Sequence, residues 1–370
     1  MTEISLCVIF RNEERHMKEF LEHHAGLFEE TVFVDTGSTD RSCEILRQAG
    51  YAPLAFSWCN DFSAARNFAL QHATRSFLMT MDLDERILPQ DLARLKNIMA
   101  KSDDDGYSLK LINLCNNPDT PDWHTAADLP PEFRNLAGGY IPTSVIRVFR
   151  NLPQVRYRGR IHEIVGDSLR DNNLTSMLTD IPVYHFGWLE TARSEQEQLE
   201  KKTLYREMIR MNWEEEHSPQ AAWYYLSALT DPREKAETAY RFSRRFPEVK
   251  EFHIALAQAA VDLSQWPRAL NYAEKGLQLF PNSPQLQAIA ALGLNETGRA
   301  GDALVILDHL LAIDPLHPRY AAEKLRALLL LGKRTEALAF LSTLPLTLQR
   351  ILQKLLAARE QSGSSSTASS

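Results

Sequence analysis

Short apolar runs alternate with longer amphipathic segments through the first hundred residues. The apolar runs at 4–10, 31–34, 52–56 and 77–81 are each followed by a polar stretch and a helical pattern, and the last helix covers 89–100. Strands that alternate with helices at this spacing predict an α/β domain with a mostly parallel sheet and helices on both faces. In such sheets the ligand binds at the carboxyl ends of the strands.

The pattern after residue 100 is less regular. Further strands are predicted near 106–112, 144–149, 159–165 and 181–186. Between the first two lies the stretch 114–140, which is rich in Pro, Asp and Asn and longer than connectors usually are. It is either a substrate-covering loop or a plain insertion.

A helical pattern without strands begins after residue 190. Residues 191–217 are predicted to form one charged linker helix, and 218–358 carry a helical repeat with the tetratricopeptide period. The tail 359–370 is of low complexity and is predicted to be disordered. The repeat is marked by residues spaced 34 apart: Pro247, Pro281 and Pro315; Ala269, Ala303 and Ala337; Gly298 and Gly332.

Composition limits the function classes. The 370 residues are 44% hydrophobic and 24% charged, which is typical of a globular protein of two domains. The net charge of −7 disfavours nucleic acid as a partner. The four cysteines have neither disulfide-type nor zinc-type spacing, which indicates a reducing, cytoplasmic compartment. No signal peptide and no transmembrane segment is predicted, so membrane association would be peripheral.

Three carboxylates follow the fourth apolar run within four residues: Asp82, Asp84 and Glu85. Side chains alternate along a strand, so Asp82 and Asp84 are expected on one side and Leu83 on the other. Two carboxylates on one side repel each other unless a cation lies between them. Because Mg²⁺ and Mn²⁺ take oxygen ligands, this stretch predicts a divalent-metal site.

Two further polar residues indicate a nucleotide. Asp35 ends the second strand, where nucleotide-binding sheets place an acid that bonds ribose or base; alternatively, it caps the turn before Asp40. Arg66 lies in the first turns of the helix after Asp61, where the helix dipole also favours a diphosphate; alternatively, it forms a surface salt bridge with Asp61. Because no Gly-x-Gly-x-x-Gly follows the first strand, a mononucleotide is favoured over a dinucleotide.

Other polar residues occur near predicted strand ends. Asn12 and Glu13 follow the first strand, and Asn12 is expected to cap the next helix. Glu163 is the predicted general base, and in a regular strand His162 would point to the opposite side. Alternatively, one of these two is simply buried. His185 ends the last strand and is either a metal ligand, a phosphate donor or a structural histidine.

Together these segments resemble the family-2 glycosyltransferases, which have the GT-A nucleotide-sugar fold. The later segments resemble the branch that carries tetratricopeptide repeats after its catalytic domain, and peptide S-glycosyltransferases of bacteriocin pathways are similar in this layout. The resemblance assigns 1–190 to the catalytic domain. It rests on the segments 8–14, 34–40, 61–67, 82–85, 159–163 and 185–188.

The resemblance implies inverting transfer from a nucleotide-diphosphate sugar, with a UDP-sugar favoured and Mn²⁺ or Mg²⁺ as cofactor. Asp35 would contact the nucleobase, and Asp82 the ribose or the metal's water shell. Asp84 would bind the metal that bridges the diphosphate. Asn12 and Glu13 would contact the nucleotide sugar. Arg66 would lie near the nucleotide or its phosphates, and Glu163 would be the base.

The expected function is therefore a cytoplasmic hexosyltransferase that acts on a peptide or protein, because repeat solenoids commonly bind peptides or partner proteins. One alternative is a saccharide or lipid-linked acceptor in surface polysaccharide synthesis. A sugar nucleotidyltransferase would need a Gly-rich phosphate loop, which is absent. A non-catalytic repeat scaffold with an inactive transferase is disfavoured by the intact pair Asp82 and Asp84.

Overall fold

The chain divides into two compact units between Glu216 and His217. The computed structural model describes residues 2–117, 120, 122–187, 189, 195–346 and 349, without the side chains of 195–198, 200 and 201. The tail predicted to be disordered lies outside these residues. In the part of the chain described here, no helix combines the length and the apolar character that crossing a bilayer requires.

The first unit consists of a sheet and its covering helices. Its strands are β1 (Ile4–Phe10), β2 (Glu30–Asp35), β3 (Leu54–Ala55), β4 (Phe77–Thr80), β5 (Glu85–Arg86), β6 (Gly106–Cys115), β7 (His124–Thr125), β8 (Gly139–Arg150) and β9 (Ser176–His185). Its helices are α1 (Glu14–His24), α2 (Ser42–Gln48), α3 (Phe62–His72), α4 (Pro89–Met99), α5 (Pro131–Arg134), α6 (Gly166–Asp171) and α7 (Glu195–Glu216). The last of these lies where the sequence predicts a linker helix.

The sheet is mixed, with the strand order β3-β2-β1-β4-β8-β6-β9-β5 and with β7 paired to β8. The first four strands are parallel, as their alternation with helices predicts. β8 runs antiparallel to both β4 and β6, whereas β6 and β9 are parallel. The long stretch after β6 therefore connects two neighbouring antiparallel strands, and it contains β7 and α5.

Two apolar layers cover the two faces of the sheet. Ile4, Leu6 and Val8 of β1 pack with α1, α2 and α4, whereas Cys7 packs with α3 and α6. A strand that is buried on both faces has a continuous apolar sequence rather than an alternating one. The predicted arrangement of helices on both faces is confirmed.

The strand predicted at 159–165 is wrong. The segment is a loop, closed by an isolated bridge between Arg158 and Ile164. Gly159 and His162 have φ values of 93° and 55°, in a region that a regular strand does not use. Ile161 and Val165 are buried, but they belong to a folded-back loop.

The second unit is a stack of helices. They are α8 (Pro219–Ala228), α9 (Pro232–Arg245), α10 (Lys250–Asp262), α11 (Trp266–Leu279), α12 (Pro284–Glu296), α13 (Ala300–Ile313), α14 (Pro318–Leu330) and α15 (Arg334–Thr343). The alanines spaced 34 apart, Ala269, Ala303 and Ala337, are buried in α11, α13 and α15. Gly298 and Gly332 have positive φ in the turns that follow α12 and α14, so the 34-residue period is a structural repeat.

Close helix packing in the repeat generates a stability prediction. A Cβ at Gly293 in α12 would lie 2.9 Å from Cβ of Leu270, whereas a Cβ at Gly301 in α13 would meet no atom within 4 Å. We expect Gly293→Ala to lower the free energy of unfolding by about 1–3 kcal/mol through overpacking. Gly301→Ala should be neutral or raise it by up to about 1 kcal/mol. Urea unfolding followed by circular dichroism measures both, and equal effects would contradict the packing argument.

Candidate active site

The carboxyl ends of β1, β2 and β4 open onto a cavity of about 1000 Å³. A second cavity of about 410 Å³ adjoins it, since Arg11, Thr36 and Trp58 line both. Asp35 lines the smaller cavity. Six predicted site residues line the larger one: Asn12, Glu13, Arg66, Asp82, Asp84 and Glu163. The strand ends therefore bring together most of the residues selected from the sequence.

The acidic stretch after β4 forms a tight turn. Glu85 N–H donates to the carbonyl of Asp82, and Asp82 N–H donates to Glu85 Oε2, both at 3.0 Å. Leu83 is buried in the core. The side chains of Asp82 and Asp84 remain partly exposed and line the cavity. The predicted division, with two carboxylates on one side and Leu83 on the other, matches this geometry.

Arg66 bridges two carboxylates that are far apart in sequence. Its Nε donates to Glu163 Oε1 at 2.6 Å, and its Nη2 donates to Asp82 Oδ1 at 3.0 Å. Burial opposes the charge of this guanidinium, but Asp82 and Glu163 outweigh burial and raise the pKa of Arg66. The alternative of a surface salt bridge is not realised, because Asp61 accepts from Ala64 N–H at the start of α3 and Arg66 is buried.

The same bridge determines the ionisation of Asp82. Burial favours its neutral form, but Arg66 and Arg147 together lower the pKa of Asp82 to about 2. The carboxylate is therefore charged at neutral pH while its side chain stays 39% exposed. It can accept hydrogen bonds from a ligand in the cavity without releasing Arg66.

Glu85 is buried in the turn and contacts Arg147 of β8. The sequence analysis did not select Arg147 as a site residue. Burial, Asp82 and Asp84 raise the pKa of Glu85 to about 7, against the opposing effect of Arg147. Arg147 is a lone arginine in the apolar run Val145–Phe149. A buried cation in such a strand needs anionic partners, so this pattern was a usable signal.

His185 of β9 faces Asp84. Its Nε2 lies 3.4 Å from Asp84 Oδ2, and its Nδ1 lies 2.8 Å from Asn113 Oδ1. Asn113 Nδ2 donates to the carbonyl of Ile141, which leaves Oδ1 as an acceptor for the proton on His185 Nδ1. In the neutral ring Nε2 is then an acceptor that faces a carboxylate. This contact needs either a proton or a cation between the two atoms.

Gly187 leaves the space between these two side chains open. A Cβ at this position would lie 2.5 Å from Asp84 Oδ2 and 2.6 Å from His185 Nε2. Any other residue would therefore displace one of the two groups. The sequence analysis did not select Gly187, because only the folded chain shows what lies beside it.

This corner of the cavity fits a divalent cation. Asp82, Glu85 and Glu163 pair with Arg66 and Arg147, whereas the charged or titratable neighbour that faces Asp84 is His185. Within the described ranges, no group of three or more His, Cys, Asp or Glu residues forms a metal-binding cluster. Asp84 and His185 would thus be the protein ligands, with the remaining positions supplied by water and substrate.

Asp35 caps the turn that follows β2, as the alternative interpretation of this residue predicts. Its Oδ1 accepts from Gly37 N–H at 3.2 Å and Ser38 N–H at 2.8 Å. The same residue lines the smaller cavity together with Trp58. These two hydrogen bonds therefore hold the carboxylate of Asp35 in place at the smaller cavity.

Asn12 does not cap α1, which corrects the prediction. The residue before α1 is Glu13, and its side chain forms no capping hydrogen bond with the helix. Asn12 has a φ of 54°, and its Oδ1 accepts from Thr39 N–H at 2.7 Å. Its own N–H donates to Ser38 Oγ at 2.9 Å. Asn12 thus joins the loops that follow β1 and β2, so both loops line the cavity as one surface.

Comparison with known families agrees with this geometry. Residues 5–150 match the model for glycosyl transferase family 2. The N-terminal unit carries a family-2 glycosyltransferase domain. The matched range includes Asp35, Arg66, Asp82 and Asp84, whereas Glu163 and His185 lie beyond it.

Curated relatives resemble parts of the chain. A TPR repeat-containing protein of Synechococcus elongatus is 31% identical over 170 residues, which are 46% of this chain and 37% of that protein. The glycosyltransferase SunS of Bacillus phage SPbeta is 21% identical over 214 residues, which are 56% of this chain and 45% of that protein. The chain thus spans less than half the length of these relatives.

Solved structures of tetratricopeptide-repeat (TPR) proteins also match parts of the chain. YrrB, described as a TPR protein with an unusual peptide-binding site, is 17% identical, with a TM-score of 0.37, over 44% of this chain and 86% of that one. A thermophilic TPR protein of Thermus thermophilus is 18% identical, with a TM-score of 0.34, over 46% of this chain and 93% of that one.

The raised pKa of Glu85 generates a prediction for the glycosyltransferase domain. Between about pH 4.5 and pH 7, Glu85 keeps its proton in the native domain and loses it in the unfolded chain. The contribution of Glu85 to the free energy of unfolding therefore falls as pH rises. We expect Glu85→Gln to remove that part of the pH dependence. Urea unfolding of metal-free protein across this window measures it. Glu22→Gln, on the exposed face of α1, is the control. An unchanged slope in Glu85→Gln would contradict the assignment.

Proposed function

We propose that the domain transfers a sugar, with inversion, from a nucleotide-diphosphate sugar to a peptide or protein, with a divalent metal as cofactor. The observation that carries the proposal is the cavity at the strand ends, which is lined by Asp84 and the Asp82–Arg66–Glu163 bridge. His185 does not line this cavity but contacts Asp84 at 3.4 Å. A hydrolase that acts through two carboxylates would need neither the nucleotide-type Asp35 nor the cation corner.

Each cavity would hold one part of the donor. The smaller cavity, with Asp35 and the indole of Trp58, offers a carboxylate and an aromatic side chain to a nucleobase. A UDP-sugar is favoured on the family resemblance. Asp82 would bond the ribose, since its carboxylate is charged and partly exposed between the two ends of the site.

The leaving group would lie at the corner formed by Asp84 and His185. A divalent cation bound there supplies Lewis-acid stabilisation of the negative charge that develops on the diphosphate. The two protein ligands are held in advance, because Asn113 orients His185 and the acidic turn orients Asp84. Mn²⁺ or Mg²⁺ would be the cofactor, because both take carboxylate ligands.

Glu163 would accept the proton of the attacking group. Arg66 holds its Oε1, and within the described residues Oε2 has no hydrogen-bond partner. Because the arginine fixes one oxygen, the other keeps a constant position in the cavity. Attack would occur on the face of the anomeric carbon opposite the diphosphate, which gives inversion.

A peptide acceptor is proposed because of the second unit. Stacked helical repeats present extended surfaces that commonly bind peptides or partner proteins. The described cysteines are all free thiols, which supports a reducing compartment such as the cytoplasm.

The metal corner is tested by release of nucleoside diphosphate. Wild-type protein with Mn²⁺ and a panel of UDP-, GDP- and dTDP-sugars should release the diphosphate from at least one donor. We expect Asp84→Asn to reduce this rate about 100-fold or more, because a ligand to the leaving-group cation is lost. Asp180→Asn, on the exposed surface, should keep the wild-type rate. No release from any donor, or full activity in Asp84→Asn, would reject the proposal.

The base is tested separately from donor binding. We expect Glu163→Gln to lower the rate of sugar transfer about 100- to 10,000-fold, because glutamine cannot accept the proton. The thermal shift caused by the matching nucleoside diphosphate with Mn²⁺ should persist, since that ligand does not use the base. Glu44→Gln, in an exposed ion pair on α2, is the control. Equal loss of nucleotide binding would indicate that Glu163 supports the donor site instead.

A further inference from the structure

The helix α7 contributes directly to the larger cavity, although it lies beyond the range that matches the family model. Leu204 and Tyr205 of α7 line this cavity. The ring of Tyr205 packs edge-on against Phe62, with centroids 6.2 Å apart, and Phe62 packs against Trp58 at 4.9 Å. Three aromatic rings thus form a continuous wall that joins the start of α3 to α7.

This wall is chemically distinct from the opposite side of the cavity. The ends of β1 and β4 present polar and charged groups, among them Asn12, Asp82 and Asp84. The wall itself consists of aromatic and aliphatic side chains from three separate segments: Trp58, Phe62, Ile161, Leu204 and Tyr205. The polar side suits a diphosphate and a sugar, so a second substrate would approach along the apolar side.

Hydrogen bonds and an ion pair tie α7 to the loop that carries Glu163. Arg160 N–H donates to Asn212 Oδ1 at 2.8 Å, and its guanidinium donates to both carboxylate oxygens of Glu215 at 2.6 Å. Phe62 N–H donates to the carbonyl of Arg160 at 2.9 Å. The wall and the base therefore keep a fixed relative position, as a substrate subsite next to the base requires.

The composition of the wall indicates what binds there. A saccharide carries hydroxyl groups that need hydrogen-bond partners once they leave water. Aliphatic side chains such as Ile161 and Leu204 cannot supply such partners, but they do stabilise an apolar group by burial. The trio of half-buried rings adds a large apolar surface to this contact. An apolar side chain fits the wall better than a sugar ring does.

We propose that the aromatic wall (Trp58, Phe62, Ile161, Leu204 and Tyr205) is an acceptor subsite that binds an apolar side chain next to the acceptor residue of a peptide. The inference rests on the proposed transferase function, and it makes α7 part of the active site. It names a substrate class: peptides in which Ser, Thr or Cys is flanked by apolar residues.

Two pools of pentapeptides test the subsite. Both have Ser, Thr or Cys at the centre; one pool has Phe or Leu on either side, and the other has Gln or Asn. With the donor found by diphosphate release, mass spectrometry measures transfer to each pool. We expect wild-type protein to prefer the apolar pool about tenfold in kcat/KM, which corresponds to burial of one apolar side chain.

Substitution of Tyr205 separates a subsite from a purely structural role. We expect Tyr205→Ala to abolish most of the preference between the pools by raising KM for the apolar pool, and Tyr205→Phe to retain it. Arg210→Ala, in an exposed ion pair on the same helix, should match wild type in every measurement.

Several outcomes would overturn the proposal. Equal use of both pools by wild type, or an unchanged preference in Tyr205→Ala, would show that the wall does not select the peptide. Transfer to aryl glycosides with both pools inert would assign the wall to a sugar. Absence of diphosphate release from every donor would instead reject the transferase function itself, which is a distinguishable result.

Discussion

The contact of Arg66 with two carboxylates holds the active site together. Asp82 comes from the turn after β4 and Glu163 from a loop about eighty residues later, and among the described residues no backbone pairing joins the two segments. Charge-assisted hydrogen bonds at 3.0 and 2.6 Å fix their separation instead. Because the guanidinium is buried, removing both partners would leave an uncompensated charge, whereas removing one would release the segment that it holds. In the proposed function, donor binding and proton transfer would therefore depend on one ion-pair network.

The network also bears on the proposed cation. The buried guanidinium groups of Arg66 and Arg147 pair with three of the four carboxylates, whereas Asp84 faces His185. Burial opposes a charged imidazole, but Asp84 and two neighbouring carboxylates raise the pKa of His185, so a proton on the ring relieves part of the repulsion at this corner. In the proposed function, a divalent ion at the same corner would also balance the negative charge of the diphosphate.

Local patterns predicted much of this unit and all of the repeat period. The strands β1 to β4 could be predicted because burial on both faces gives continuous apolar runs. The acidic turn could be predicted because three carboxylates directly follow a strand. Positions whose role depends on partners far apart in sequence could not be predicted. The loop at 159–165 was predicted as a strand, and the positive φ values of Gly159 and His162 show that the backbone turns there instead. Gly187 has no local pattern that indicates two side chains beside it.

The helix α7, at the end of the first unit, is another element whose contacts could not be predicted from the sequence. Its sequence is highly charged, which predicts a solvated linker, yet two of its polar residues are used to hold the loop beside Glu163. Asn212 is buried for this purpose, and the bidentate pair between Glu215 and Arg160 is only half exposed. A helix that merely connected two units would need neither contact. Because Arg160 is bonded to both Asn212 and Glu215, a change in the position of this helix would move the loop that carries Glu163.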